Sequence, residues 1–469
     1  MLLPAAPRDE DGRPSAPAVE ARVARAVALA VTVWFALAAA WELFGPLLAG
    51  HYASSASVGI IAENMLRWHI PGPVWEYTTS RPGPELYYCH HPWGIFWTTA
   101  VLMKLFGRHD FVCRLAPVLL SVATPPLLYD LGRSIWRPAA GAAAAAGFVV
   151  LPIALAFANF NALEVPVIAY SLLFLWGYVR LTQTGRRRHL AVSLVGLFLA
   201  LNADWPAFVL AGEVVAFATA RSLVLRRAFG PLGPRGAGVS QAVRERRHAA
   251  FCLGAIAIVA STLLLYLALF SASHKLGDLF GSAEMRSSGN RTRLANVLAS
   301  RRYWIELSFT PVAILLGKIA AVACAVRLVV VRREHEVLPL AVLGMATVQY
   351  VVFKEGADVH VFWPHDFAEY FALGLAALVA SVACALEWLV PAVRARLARP
   401  EAPSTRSGLA ALGLALVALV PVARDGVPAL RYARDTGGRF NEKGLLIHSD
   451  GAKTAFLTWL ATDLPRRAT

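Results

Sequence analysis

The residues of this chain best suited to chemistry are five histidines, two acids and a tyrosine: His51, His90, His91, His360, His365, Glu164, Asp204 and Tyr370. All stand in polar turns between long apolar runs, in stretches such as Tyr87-Tyr88-Cys89-His90-His91-Pro92-Trp93 and Asn202-Ala203-Asp204-Trp205-Pro206. An imidazole is a competent general base near neutral pH. A carboxylate at the margin of a membrane run is costly unless it is paired or used, which singles out Glu164 and Asp204. A third feature is the strongly basic segment 271–304, where Lys275, Arg286, Arg291, Arg293, Arg301 and Arg302 face only Asp278 and Glu284. Cations gathered this way suit an anionic group such as a phosphate, with Lys275 and Arg286 as the candidates, although contact with lipid headgroups accounts for them equally. His90, His360 and His365 are the candidates for a divalent ion, but no helical i, i+4 histidine pair with a flanking Glu supports one. The five cysteines show no metal or redox spacing.

The apolar runs decide the class. The chain is 57% hydrophobic and 16% charged, far from a soluble domain of 469 residues. Runs of about 18 or more apolar residues read as spanning helices, because unpaired backbone groups are excluded from lipid. About eleven are expected, centred near residues 36, 122, 148, 172, 197, 213, 261, 317, 346, 377 and 415, which makes an all-α integral membrane protein. The 45 Lys+Arg against 30 Asp+Glu cluster at Arg186 to Arg188, Arg221 to Arg247, Arg332-Arg333 and Arg394 to Arg406, in alternate loops. This is the positive-inside pattern rather than a nucleic-acid surface, and it puts the N-terminus in the cytoplasm and the chemistry-bearing turns outside. Residues 1–24 are expected to be a disordered cytoplasmic segment, 25–424 the membrane domain and 425–469 a short outward tail. Glu213 and Lys318 fall mid-helix, where they are expected to pair inside the bundle or snorkel.

The first outward loop, 51–110, holds two further apolar segments too short or too amphipathic to cross. Val58, Ile61, Met65 and Trp68 share one helical face, with Glu63, Asn64 and Arg67 opposite. A second segment runs from Trp93 to Phe106 and is closed by Gly107. Both are expected to lie in the membrane interface, either sealing the bundle or rimming a cavity.

The order Ile61-Ala62-Glu63-Asn64-Met65-Leu66, a Tyr-rich link, His90-His91-Pro92-Trp93, Leu105-Phe106-Gly107 and Arg114-Leu115-Ala116-Pro117 resembles the polyprenyl-phosphate-sugar transferases of the GT-C fold. More narrowly, it is similar to bacterial protein O-mannosyltransferase-like and aminoarabinose-transferase-like proteins. Asn161-Ala162-Leu163-Glu164-Val165-Pro166, the Asp204 turn and the turn from His360 to Tyr370 extend the resemblance over roughly residues 25 to 390. It implies an inverting transferase of the bacterial inner membrane that moves a sugar from a polyprenyl phosphate to an envelope glycan, lipid or protein on the outer face. It also implies phosphate contacts at His91 and Arg114, orientation by Asp204 and Tyr370, and in some relatives a divalent ion.

The match departs at one position. Relatives carry an Asp about seven residues before the Ile-Ala of the flat helix, where this chain has Ser54. A hydroxyl is no general base on its own. Three readings follow: His51, three positions upstream, is the base; Glu164 is the base; or catalysis is lost and the chain is a non-catalytic envelope assembly protein. A transporter or flippase for a lipid-linked sugar is a further rival, for which a polar path across the bundle would be required.

Overall fold

The computed structural model describes residues 16–41, 43–45, 51–76, 78–229, 232, 239–288, 294–359, 362–396 and 404–435. Among them the chain is helical, with no strand beyond a single bridge between Val74 and Tyr87. The first half holds α1 (Ala16–Ala39), α2 (His51–Trp68), α3 (Gly94–Phe106), α4 (Asp110–Ile135), α5 (Pro138–Val149), α6 (Pro152–Ala156), α7 (Glu164–Thr184), α8 (Arg187–Ala203), α9 (Pro206–Leu223) and α10 (Arg226–Phe229). The second half holds α11 (Gln241–Ala272), α12 (Leu276–Ser288), α13 (Leu294–Val331), α14 (Leu338–Val352), α15 (Lys354–Val359), α16 (Phe367–Arg396) and α17 (Ser404–Asp435).

The eleven expected spans correspond to α1, α4, α5, α7, α8, α9, α11, α13, α14, α16 and α17. Among the described residues, nine helices are long and apolar enough to cross a membrane, and α5 and α8 are not among them. Pro152 cuts the apolar run of α5 after 12 residues and starts α6, since proline removes a helical N–H and clashes with the preceding turn. α8, with 17 residues, is about 25 Å long at 1.5 Å per residue and packs along the longer α7. α1 begins at Ala16, inside the segment expected to be disordered, because Glu20 is held by Arg137. The expected outward tail beyond residue 435 and the histidine at 360 lie outside the described residues.

Small residues set how closely these helices approach, as they do where lipid supplies no hydrophobic force between helices. A Cβ on Gly177 of α7 would lie 2.5 Å from the backbone nitrogen of Ser193 in α8, and one on Gly196 would lie 2.6 Å from that of Phe174. Ser193 Oγ then donates to the Phe174 carbonyl at 3.0 Å. In α5, Ala139 to Ala146 are buried on all sides, so that α1, α4, α16 and α17 pack around a nearly smooth rod. Lipid-facing Leu, Val and Ile cover the outside of α11, α13 and α17.

One end of the bundle is an ionic layer. Arg221, at the last turn of α9, meets Glu245 at 3.0 Å and Glu334 at 3.1 Å, and Tyr178 Oη donates to Glu334 at 3.0 Å. Arg327 pairs with Glu336 at 2.7 Å, to which Trp136 Nε1 also donates. Arg137 ties Glu20 of α1 to Glu387 of α16. Arg221, expected among the cytoplasmic loop charges, is therefore a buried structural partner.

Arg221→Met removes the cation from the buried Glu334, and breaking such a pair costs about 3–5 kcal/mol. The variant should unfold at a markedly lower temperature in detergent, as should Gly177→Val through overpacking. Melting of Arg221→Met at the wild-type temperature would mean that the layer does not hold the bundle.

Candidate functional site

At the other end, the first loop folds back on the bundle through hydrogen bonds that its sequence can be seen to provide. Asn64 of α2, expected on the solvent face, is 2% exposed and donates to the carbonyls of Val74 and Glu76 at 3.1 and 2.7 Å. Val58, Ile61 and Met65 are buried as expected. Ser55 Oγ accepts from the Asn161 backbone at 2.9 Å, which fastens the start of α2 to the turn that opens α7. Trp93, 1% exposed, donates through Nε1 to the Tyr88 carbonyl at 2.8 Å and is packed among Tyr87, Trp97, Tyr266 and Phe270.

Glycine lets this segment touch the end of α8. A Cβ on Gly94 would lie 2.3 Å from the Asn202 carbonyl oxygen, so only the bare backbone fits. Trp205 Nε1 donates to the His90 carbonyl at 2.8 Å, and Tyr266 Oη donates to Asn202 Oδ1 at 2.8 Å while accepting from Trp93 N at 3.1 Å. This seam brings His91 and Asp204, 113 positions apart, to a 2.6 Å contact between Nδ1 and Oδ1, both side chains being buried.

Arg286 of α12 completes the arrangement by donating from Nη1 to His91 Nε2 at 3.0 Å. Guanidinium only donates, so Nε2 carries the lone pair and Nδ1 holds the proton that it gives to Asp204. The guanidinium also lies 5.8 Å from the Trp363 ring centroid, within cation–π range. Tyr88 stacks on His91, with centroids 6.1 Å apart and planes at 21°. Burial pushes the Tyr88 hydroxyl up to about 12 against the opposing pull of Arg286, so it remains a neutral donor. Burial likewise pushes the Cys89 thiol up to about 12, and first burial, then Arg286, holds the His90 imidazole below its ordinary 6.5.

Next to this arrangement stands a group of acids that meet no cation among the described residues. Glu164, in the first turn of α7, lies near Asp366 and Asp204, and Glu369 of α16 lies near Asp366. Glu164 Oε2, Asp366 Oδ1, both Glu369 oxygens, both His365 ring nitrogens and Asn161 Oδ1 are buried without a hydrogen-bond partner among the described residues. Unsatisfied buried polar atoms are rare in folded proteins and expensive. Here they gather behind the His91 cluster, where a bound molecule could supply donors and where a free carboxylate oxygen could take up a proton.

Glu164, Asp204, His91 and Arg286 are thus brought to one region. Lys275 is close by, just before α12, paired with Asp278 at 2.7 Å. Arg114 is fully buried and donates to the Leu43 and Gly45 carbonyls, fixing the segment after α1. Tyr370 Oη donates to the Gly317 carbonyl at 2.6 Å and so clamps α16 to α13. His51 and Ser54 lie in the first turn of α2. His365 packs against Phe157, and among the described residues no three His, Cys, Asp or Glu side chains are arranged to hold a metal ion. Sequence reasoning did not select Tyr88, Trp363, Asp366 or Glu369. The Asp366/Glu369 pair carries a readable sign, two acids at i, i+3 where an apolar helix begins.

Residues 90–230 match the family model described as dolichyl-phosphate-mannose-protein mannosyltransferase. Among solved structures, the chain is similar to the apo oligosaccharyltransferase of Archaeoglobus fulgidus at 16% identity and a TM-score of 0.57, over 94% of this chain and 58% of that one. It is similar to AglB of the same archaeon, solved with an inhibitory peptide and a dolichol-phosphate, at 16% identity and a TM-score of 0.52, over 86% and 56% of the two chains. It is also similar to ArnT from Cupriavidus metallidurans bound to undecaprenyl phosphate, at 17% identity and a TM-score of 0.51, over 88% and 78%. The protein therefore has the GT-C fold, and it spans under three fifths of the length of the archaeal chains, 58% and 56%. No curated protein sequence matches it.

The placement of Arg286 is checked by the titration of His90, followed by NMR on the ring-labelled protein in micelles. The wild-type midpoint should lie below 6.5, and in Arg286→Ala it should rise without reaching that value, since burial remains. Because the unfolded chain takes up this proton first, stability should fall as pH drops from 6.5 towards the folded midpoint. An unchanged midpoint in the variant would put the guanidinium elsewhere.

Proposed function

We propose that the protein is a membrane glycosyltransferase that moves a sugar from a polyprenyl-phosphate carrier to a hydroxyl or amine of a cell-envelope acceptor. The reaction takes place on the extracytoplasmic face of a bacterial inner membrane. The observation that carries this reading is the juxtaposition of an Arg286–His91–Asp204 chain with a buried carboxylate, Glu164, that keeps a free oxygen. A phosphosugar needs cations at its phosphate, and its acceptor needs a base. Both stand here behind α2 and α3, the helices expected to lie in the interface, where a lipid tail can remain in the bilayer.

In this reading Arg286 donates to the donor phosphate with charge-assisted hydrogen bonds. His91, oriented by Asp204 through Nδ1, stands beside that phosphate and fixes the position of Arg286. Glu164 accepts the acceptor's proton as its oxygen or nitrogen bonds to the anomeric carbon. The bond from that carbon to the phosphate oxygen breaks, the electron pair leaves with the polyprenyl phosphate, and configuration inverts because attack is opposite the leaving group. Glu164 thereby fills the role for which Ser54 is unsuited, with His51 as the alternative base. The dolichol-phosphate and undecaprenyl phosphate bound to two proteins of this fold support the donor class.

The test is transfer from polyprenyl-phosphate sugars in proteoliposomes to envelope extracts. Glu164→Gln should lower kcat by about 10²–10⁴-fold, the usual contribution of a general base. Arg286→Ala should act mainly by raising the donor KM. Absence of transfer from every polyprenyl-phosphate sugar tried, or a fully active Glu164→Gln, would refute the assignment.

A further inference from the structure

Two charges in the membrane-spanning region are left over by this fold, and neither belongs to the site. Glu213 lies in the span Pro206–Leu223 and Lys318 in the span Ile305–Val331. No ion pair joins them to each other or to any described residue. Glu213 is half-buried, with its carboxylate against Gly344 of α14 and Oε2 unpartnered. Lys318 is exposed, in the middle of the lipid-facing stripe of α13 that includes Leu315, Ile319 and Val322. Isolated charges at this depth are rare and almost always find a partner.

Their depths match. Both helices leave the end of the bundle that carries the site and run the same way: α9 starts beside Asp204, and the span of α13 starts at Ile305, packed near Trp363. The backbone of α13 breaks at Thr310 (φ 63°), and Pro311 begins its straight part. Glu213 lies seven residues after Pro206 and Lys318 seven residues after Pro311, each about 10 Å along its helix. The face of α9 beside Glu213 exposes Gly212 and Ala216, four apart, and a Cβ on Gly212 would meet nothing. Small residues at this spacing let a second helix approach closely. Since α14 packs against both α9 and α13, the two charges flank one helix.

We propose that the protein forms a two-fold dimer in the membrane, in which α13 of each copy lies on the Gly212/Ala216 face of α9 in the other and Lys318 pairs with the other copy's Glu213. A single chain supplies both signs, each seven residues past a proline of its helix, and a two-fold axis satisfies both pairs at once. The proposal is independent of the reaction assigned above.

The test is the mass of the full-length protein in lipid nanodiscs and mild detergent, by light scattering and mass photometry. The wild type should be dimeric, Glu213→Lys and Lys318→Glu alone should each weaken the dimer at least ten-fold, and the chain carrying both should recover it. Recovery in the double variant separates lost pairing from misfolding. A monomeric wild type, a complex with a different protein in place of a second copy, single variants that remain dimeric, or a double variant that does not recover would each overturn the proposal.

Discussion

The hydrogen bond between His91 and Asp204 is the contact from which the rest of the site follows. It joins the turn before α3 to the end of α8 at 2.6 Å, in a place where neither group has water to fall back on. A buried polar network is stable only when each member is satisfied, and the seam around this one is built to that end. Gly94 allows the backbones to touch, Trp205 and Tyr266 cross-link them, and Trp93 fills the space behind. With the imidazole fixed in one tautomer, its second nitrogen becomes an acceptor aimed at α12, and Arg286 docks on it.

The two ends of the bundle treat charge in opposite ways. At the end away from the site, Arg221, Arg327 and Arg137 each meet carboxylates, and tyrosine, tryptophan and serine satisfy remaining lone pairs. At the site, Glu164, Asp366, Glu369 and His365 keep unpartnered atoms at similar burial. Among the described residues the acids are paired at one end and not at the other, a cost carried where chemistry is expected and a common mark of functional sites. The contrast argues against reading the acids behind His91 as ordinary helix packing.

Much of this was legible in the sequence. Apolar run length gave the helices, Gly107 the end of α3, and the ordered series of His, Glu and Asp turns the region that carries the site. Other features were hidden for physical reasons. Asn64 reads as solvated because its partners, the carbonyls of Val74 and Glu76, depend on how the link folds back. Arg114 looks like a phosphate ligand by position, yet its guanidinium is occupied by backbone carbonyls that no side-chain pattern reveals. Arg221 reads as a loop charge because a topology rule counts charges without seeing the acids opposite it. Choosing Arg286 among the cations of 271–304 required the distance to His91.

The account's central claim is that the cation held on His91 grips the phosphate of an isoprenoid carrier. The most direct measurement is retention of undecaprenyl phosphate by the purified protein in native mass spectrometry, with Arg286→Ala and His91→Ala beside the wild type. The account predicts one carrier lipid retained per wild-type chain and at least ten-fold weaker retention in either variant. Equal retention by all three proteins, or none by the wild type, would contradict it.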